Sequence, residues 1–274
     1  MNKEEHKKLE LLFSLLNDVG EKSANIIMAE LLSHSEKLPD FLQKYQESDD
    51  PLLRKRIHQL QAILSIRKRR MDFSNFLCGD DVEVEDNIFD SLALLHLQWY
   101  DNDNWQSIKD VYTDLLLQSR KFQFSNLYDV AYFMRKMKFS VSDRNGLQPD
   151  LYCIGIVIDE RFGADCILCA LAKSLAKDNN LNLKIIKLVD NFSLMDENNT
   201  LLTPFHDWRT FTPQRHDDVQ IWDDRKILEL ISSRLFMSAV GSDSFRYIHT
   251  IGHLLADLIG EEDLAFLPYP YDAK

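Results

Sequence analysis

The stretch ERFGADCILCALAKSLAKD (160–178) decides the fold that we expect for this chain. A glycine turn leads into a run in which Leu168, Leu171 and Leu175 recur at helical spacing, so we predict a helix with one buried face. Cys166 stands near the start of that helix. Free amide donors and the helix dipole favour a thiolate at such a position. The stretch therefore raises the question of whether this helix carries a nucleophile.

Composition and charge restrict the class of protein. With 274 residues and 45% hydrophobic content, the chain is long enough for one large domain or two smaller ones. A net charge of −12 argues against a nucleic-acid-binding protein, because phosphate contacts need clustered cations. No apolar run reaches about 18 residues, and the N-terminus lacks a signal-peptide cleavage site. We therefore predict a cytoplasmic protein with no membrane span. Four cysteines are too few for a disulfide framework.

Helical periodicity dominates the first half of the chain. Residues 1–78 form short amphipathic runs, which predict a helical N-terminal region resembling a helical-repeat array but without a fixed period. After a predicted loop at 79–86, helical spacing continues through residues 87–100, 104–122 and 125–137.

Strand signals are confined to a short part of the chain. LNLKIIKLV (181–189), FSLMD (192–196) and TLLTPF (200–205) predict a small antiparallel sheet, with a hairpin turn at 197–199. The chain then returns to two helices, separated near Gly241. The predicted fold class is α+β and mainly helical.

A spaced motif precedes the opening stretch, and it carries a family resemblance. It has the form P-x-x-x-x-L-x-x-V-L-x-x-R-x-G and consists here of Pro149, Ile154, Val157, Ile158, Arg161 and Gly163. Two strand ends follow it, V-D-N-F at 189–192 and L-T-P-F at 202–205. In order and spacing these features resemble the SirB1-like branch of the transglutaminase-like superfamily. The resemblance implies a bacterial protein with a papain-like core at 79–215, between the helical region 1–78 and a tetratricopeptide-like helical pair at 216–274.

The resemblance also implies where a catalytic triad would stand. Active relatives carry a cysteine at the start of the core helix, a histidine on one strand and an aspartate on the next. These positions correspond to Asp165, Asn191 and Thr203. Asn191 cannot accept a proton as a base, and Thr203 cannot stabilise an imidazolium. Asp165 is expected to serve as a helix N-cap instead.

We therefore expect a pseudoenzyme that binds a protein or peptide partner or a polar ligand, with no cofactor. The predicted binding residues are Asp165, Asn191, Thr203, His206 and Trp208. The competing hypothesis is a cysteine hydrolase or amidase that uses Cys166 as nucleophile and His206 as base. A thiol-reactive electrophile would separate the two classes.

Two further patterns suggest metal or redox chemistry, and for both we favour an ordinary packing role. Cys166 and Cys169 form C-x-x-C, but no second pair accompanies them. His249 and His253 have the i, i+4 spacing of helical metal ligands, but no third ligand is evident. We therefore predict no metal site.

A basic segment, RKRIHQLQAILSIRKRR (54–70), stands out in this acidic chain. Its Ile57, Leu60, Ile63 and Leu64 form the apolar stripe of a packed helix, with the basic residues clustered at its two ends. We favour a solvated helix face, and a surface for an acidic partner is the alternative.

Overall fold

The computed structural model describes residues 3–18, 21–34, 38–46, 48–78, 88–142, 147–189, 191–213, 219–242 and 244–259. The chain folds as two compact units, Met1–Arg69 and Arg70–Lys274. It is mainly helical with a small antiparallel sheet, which confirms the predicted fold class at that level. Among the helices so described, none combines the length and the apolar character needed to cross a bilayer.

The helices are α1 (Lys3–Asp18), α2 (Glu21–Ser33), α3 (Leu38–Tyr45), α4 (Pro51–Cys78), α5 (Ile88–Trp99), α6 (Trp105–Arg120), α7 (Leu127–Lys136), α8 (Ile154–Glu160), α9 (Asp165–Lys177), α10 (Phe205–Trp208), α11 (Asp224–Gly241) and α12 (Phe245–Ile259). The strands are β1 (Ser140–Val141), β2 (Phe162–Gly163), β3 (Lys184–Leu188), β4 (Asn191–Met195), β5 (Leu201–Thr203), β6 (Arg209–Phe211) and β7 (Val219–Trp222). The loop predicted at 79–86 lies outside the described residues.

The N-terminal unit is built around aromatic rings and the apolar stripe of α4. The rings of Phe13, Phe41 and Tyr45 pack against one another with centroids 4.9 to 5.2 Å apart. Ile57 and Leu60 of α4 are completely buried in the same cluster. The apolar stripe predicted for the basic segment is therefore confirmed.

Two arginines of the basic segment bond to helix ends inside this unit. Arg56 is buried, and its Nη1 donates to the carbonyl of Leu16 in the last turn of α1. Arg67 Nη1 donates to the carbonyl of Leu32, near the end of α2, at 3.2 Å. The last carbonyls of a helix have no partner within it, and a cationic donor there also complements the dipole. Part of the basic character of α4 thus stabilises the unit.

Replacing Arg56 tests this structural role. We expect Arg56→Met to lower the free energy of unfolding of the N-terminal unit by about 1–3 kcal/mol, because a charged hydrogen bond to a buried carbonyl is lost. Urea unfolding followed by circular dichroism measures the change. The control is Lys55→Met at the exposed neighbouring position. Equal free energies of unfolding for the two variants would contradict the structural role of Arg56.

The second unit contains a five-stranded sheet in the order β6-β5-β4-β3-β7, antiparallel throughout. The three predicted strands correspond to β3, β4 and β5. Asp196 fixes the predicted hairpin turn, because its Oδ1 accepts from the amides of Asn198 and Thr200 at 2.9 and 2.8 Å. Strands β6 and β7 were not predicted. They complete the two edges of the sheet, and most of their side chains are at least partly exposed, so they lack an apolar signature.

Helix α9 packs on one face of the sheet, as the apolar spacing of the opening stretch predicts. Leu168, Leu171 and Leu175 are buried in the same cluster as Leu194 of β4. Helices α11 and α12 contribute to this cluster too, so the predicted regions 79–215 and 216–274 share one core. The two helices run antiparallel, since Arg225 near the start of α11 donates to the carbonyl of Leu258 near the end of α12.

The motif residues before α9 have structural roles that explain their spacing. Arg161 ends α8 in the left-handed conformation, and its guanidinium lies 4.8 Å from the centre of the Phe139 ring. A Cβ on Gly163 would lie 2.9 Å from Val157, so this position requires glycine.

The turn-forming residues Asn145, Gly146 and Pro149 predict a loop over residues 140–150. In the structure this segment begins with β1, which pairs in parallel with β2. The predicted turn at 145–146 is outside the described residues.

Candidate functional site

Asp165 occupies the helix position that the family resemblance assigns to a nucleophile. It is the first residue of α9, and the N-cap is Ala164, so Asp165 is not the N-cap that the sequence analysis expected. Its Oδ1 accepts from the amide of Cys166 at 2.8 Å, and its Oδ2 accepts from the amide of Phe192 at 2.7 Å. One carboxylate thus ties the start of the helix to strand β4.

Electrostatics at Asp165 combine two opposing effects. Burial raises the pKa of the Asp165 carboxyl above its ordinary value, because the charged form loses hydration. The amide hydrogen bonds and the nearby Arg234 charge act in the opposite direction and favour the carboxylate. A carboxylate with both oxygens engaged in this way is an acceptor of structural hydrogen bonds.

Asn191 and Thr203 do not face Asp165. Side chains alternate along a strand, and Phe192 and Leu202 belong to the buried cluster that also contains α9. Asn191 and Thr203, each one residue away, therefore lie on the opposite face of the sheet. Asn191 is exposed there and Thr203 is buried. The structure thus does not bring the three family positions together in one cleft.

Cys166 lies beside Asp165, but it is fully enclosed. Its exposed fraction is 2%, and burial raises the pKa of the Cys166 thiol far above its ordinary value, with the neighbouring Asp165 charge adding to the shift. Among the described residues, no hydrogen bond joins Cys166 to His206. An efficient nucleophile needs an accessible thiolate and an adjacent base, and this thiol has neither.

His206 and Trp208 belong to the turn α10, which follows β5. The backbone is left-handed at His206, Asp207 and Trp208, a conformation that costs energy for residues with a side chain. Trp208 offsets part of this cost, because its ring is buried and its Nε1 donates to the carbonyl of Phe139 at 2.7 Å. Trp208 is therefore a core residue and not part of a binding surface, whereas His206 is exposed.

A cavity of about 160 Å³ opens beside Asp165 and Cys166. Its walls include the side chains of Tyr152, Lys187 and Arg234. Within the described part of the chain, the Arg234 guanidinium makes no hydrogen bond or ion pair. No role was predicted for Arg234 or Lys187, since they come from α11 and β3 and no local motif links them.

Cys153 and Cys169 are packed side chains, whereas the candidate ligand His249 is exposed and His253 is buried. Cys153 and Cys169 are completely buried, and burial raises the pKa of both thiols well above the ordinary value. The Nε2 atoms of His249 and His253 lie 3.2 Å apart. Within the described ranges, no three His, Cys, Asp or Glu side chains come together to hold a metal ion.

A histidine–carboxylate pair that the sequence analysis missed lies elsewhere in the unit. His96 of α5 is buried, and its Nε2 lies 2.9 Å from Oδ2 of Asp103. Burial lowers the pKa of His96, and the bond to Asp103 opposes this shift. A Cβ on Gly155 would lie 2.8 Å from the ring, so glycine makes room for it. The His96 imidazole is therefore enclosed, whereas the Asp103 carboxylate is about half exposed.

Comparison with protein-family models, with curated proteins and with solved structures finds no match for this chain.

Asp165→Asn tests the bridging role of the carboxylate. We expect the variant to lose about 1–3 kcal/mol of stability, because an amide side chain offers only one acceptor and sets an N–H donor against a backbone N–H. Thermal and urea unfolding provide the measurement. The control is Glu160→Gln at the exposed end of α8, which should leave stability unchanged. If Asp165→Asn had the same free energy of unfolding as the parent protein, the two bonds to the backbone amides would contribute nothing to stability.

Proposed function

We propose that this chain is a non-catalytic protein of the SirB1-like branch of the transglutaminase-like superfamily, and that it binds a protein or peptide partner beside Asp165. One observation carries the proposal. At the helix position where the family keeps its nucleophile, a carboxylate has both oxygens engaged by backbone amides. An aspartate held in this way does not supply the covalent chemistry of a thiol. The packing of α9 on an antiparallel sheet supports the family assignment.

The charges of the cavity beside Asp165 indicate the chemistry of the ligand. Asp165 already accepts two hydrogen bonds, whereas the Arg234 guanidinium has donors to offer. Lys187 contributes a second cation to the wall, and Tyr152 a phenol. Guanidinium groups bind carboxylates with paired, charge-assisted hydrogen bonds. The cavity therefore suits a carboxylate.

The size of the cavity narrows the ligand further. About 160 Å³ is less than the roughly 300 Å³ at which small-molecule pockets begin, so the space suits one side chain and not a whole ligand. We propose that an extended segment of the partner inserts an acidic side chain between Lys187 and Arg234. Aromatic and aliphatic surfaces of Phe192 and Leu230 enclose its stem.

A peptide selection tests this proposal. A random peptide library is selected on the immobilised protein, and we expect Asp or Glu to be enriched at one fixed position of the binders. Arg234→Gln should abolish that enrichment, because the carboxylate loses its main partner. The matched control is Arg209→Gln, which removes an exposed arginine that does not line the cavity. Selection without an acidic preference, or with the same preference in Arg234→Gln, would refute the proposed ligand chemistry.

Thiol labelling tests the competing hydrolase or amidase hypothesis. We expect Cys166 to resist iodoacetamide in the folded protein at neutral pH, because burial raises its pKa and so keeps the thiolate fraction negligible. Peptide mapping by mass spectrometry identifies the modified cysteines, and urea-denatured protein shows that all of them are detectable. Rapid modification of Cys166 in the native protein, absent from Cys166→Ala, would favour the enzyme instead.

A further inference from the structure

A second and larger cavity, of about 670 Å³, lies at the opposite end of α9. Its walls come from the end of α9, the segment that leads into β3, and the edge strand β7. It is large enough for a complete small molecule. The residues that line its polar part are Lys173, Lys177, Asn180, Asn182 and Lys184.

The Lys173 side chain in the wall of this cavity is held in place by an ion pair. Its Nζ donates to Oδ1 of Asp224 at 2.7 Å, and Asp224 is completely buried in the first turn of α11. The Lys173 side chain itself is only 16% exposed. An ammonium has three N–H donors, and among the described residues this bond to Asp224 accounts for one of them. Two donors of a positioned, largely buried cation therefore remain for a ligand.

The local charge is opposite to that of the protein as a whole. The chain carries a net charge of −12, yet Lys173, Lys177 and Lys184 surround one space. Asp223 is the acid of the lining, and its Oδ1 already accepts the amide of Lys226 as the N-cap of α11. A concentration of cations in a cleft raises the local concentration of anions.

The wall contributed by β7 has a different character. The Trp222 side chain lies on the face of the sheet that packs against α9, because Trp222 pairs with Ile185 of the buried cluster that contains α9. The neighbouring Ile221 pairs with Ile186 and points to the opposite face. The cavity thus has cations and amides on one side and an apolar surface on the other. A ligand that matches both sides carries anionic oxygens at one end and a flat or apolar group at the other.

We propose that this cavity is a binding site for an organic phosphate. The phosphate oxygens accept hydrogen bonds from Lys173 and Lys184 and from the amide groups of the polar wall. The apolar part of the ligand rests on the Trp222 ring. Lysine is a common phosphate ligand in proteins, and a phosphate offers enough acceptors to engage several donors together. This site is separate from the cavity beside Asp165 and does not depend on the function proposed for it.

Isothermal titration of the full chain with ADP, pyrophosphate and adenosine tests the site. We expect ADP to bind most tightly, because it alone carries both the phosphates and a flat apolar group. Added salt should weaken the binding of ADP and of pyrophosphate, since their attraction to the lysines is screened. If neither ADP nor pyrophosphate binds at millimolar concentration, the proposal is overturned.

Two variants separate the two halves of the site. Lys184→Gln should weaken ADP and pyrophosphate alike by about threefold, the effect of one exposed charge. Trp222→Leu should weaken ADP and leave pyrophosphate unchanged. Ile221→Ser, on the other face of the same strand, should leave the binding of both unchanged.

Controls distinguish this site from other anion binding. Lys226→Gln removes an exposed lysine outside the cavity, and Arg234→Gln alters only the cavity beside Asp165, so both should bind ADP as the parent protein does. Equal weakening by Lys184→Gln and Lys226→Gln would show nonspecific charge attraction and refute the site. Equal affinity for ADP and pyrophosphate would refute the apolar half of the proposal.

Discussion

The carboxylate of Asp165 is the interaction on which the second unit depends. The pairing between β4 and β5 covers Leu194 and Met195 and stops short of Phe192. Asp165 supplies the acceptor that the amide of Phe192 needs at that point, while its other oxygen holds the amide of Cys166. A buried amide without an acceptor would cost about as much as the bond contributes. One side chain therefore satisfies two elements and fixes their separation.

The residues just before α9 explain why this bridge is possible. Gly163 packs so closely on Val157 and Ile167 that no larger residue fits, and Arg161 turns the chain in the left-handed conformation. Pairing of β1 with β2 and the bond from the Ala164 amide to the Leu151 carbonyl at 3.0 Å hold the segment in place. The motif that carries the family resemblance is thus a packing motif, whose effect is to direct the first turn of α9 at β4.

The sequence predicted those elements that depend on a local pattern. Apolar residues at helical spacing identified α9 and the helical pair α11 and α12, and β-branched runs around a polar turn identified β3, β4 and β5. Patterns of this kind do not fix the register between a helix end and a strand. For that reason the family resemblance grouped Asn191 and Thr203 with Asp165, although strand alternation turns both toward the other face of the sheet.

The cavities follow from long-range pairing, which no local pattern encodes. Lys173 and Asp224 are 51 positions apart and meet only because α11 packs against α9. Lys187 lines the smaller cavity, and its ammonium lies 5.2 Å from the centre of the Trp222 ring that lines the larger one. This contact exists because β3 pairs with β7, which places Lys187 and Trp222 on the same face of the sheet. The arrangement of both cavity walls therefore depends on the register of that strand pair.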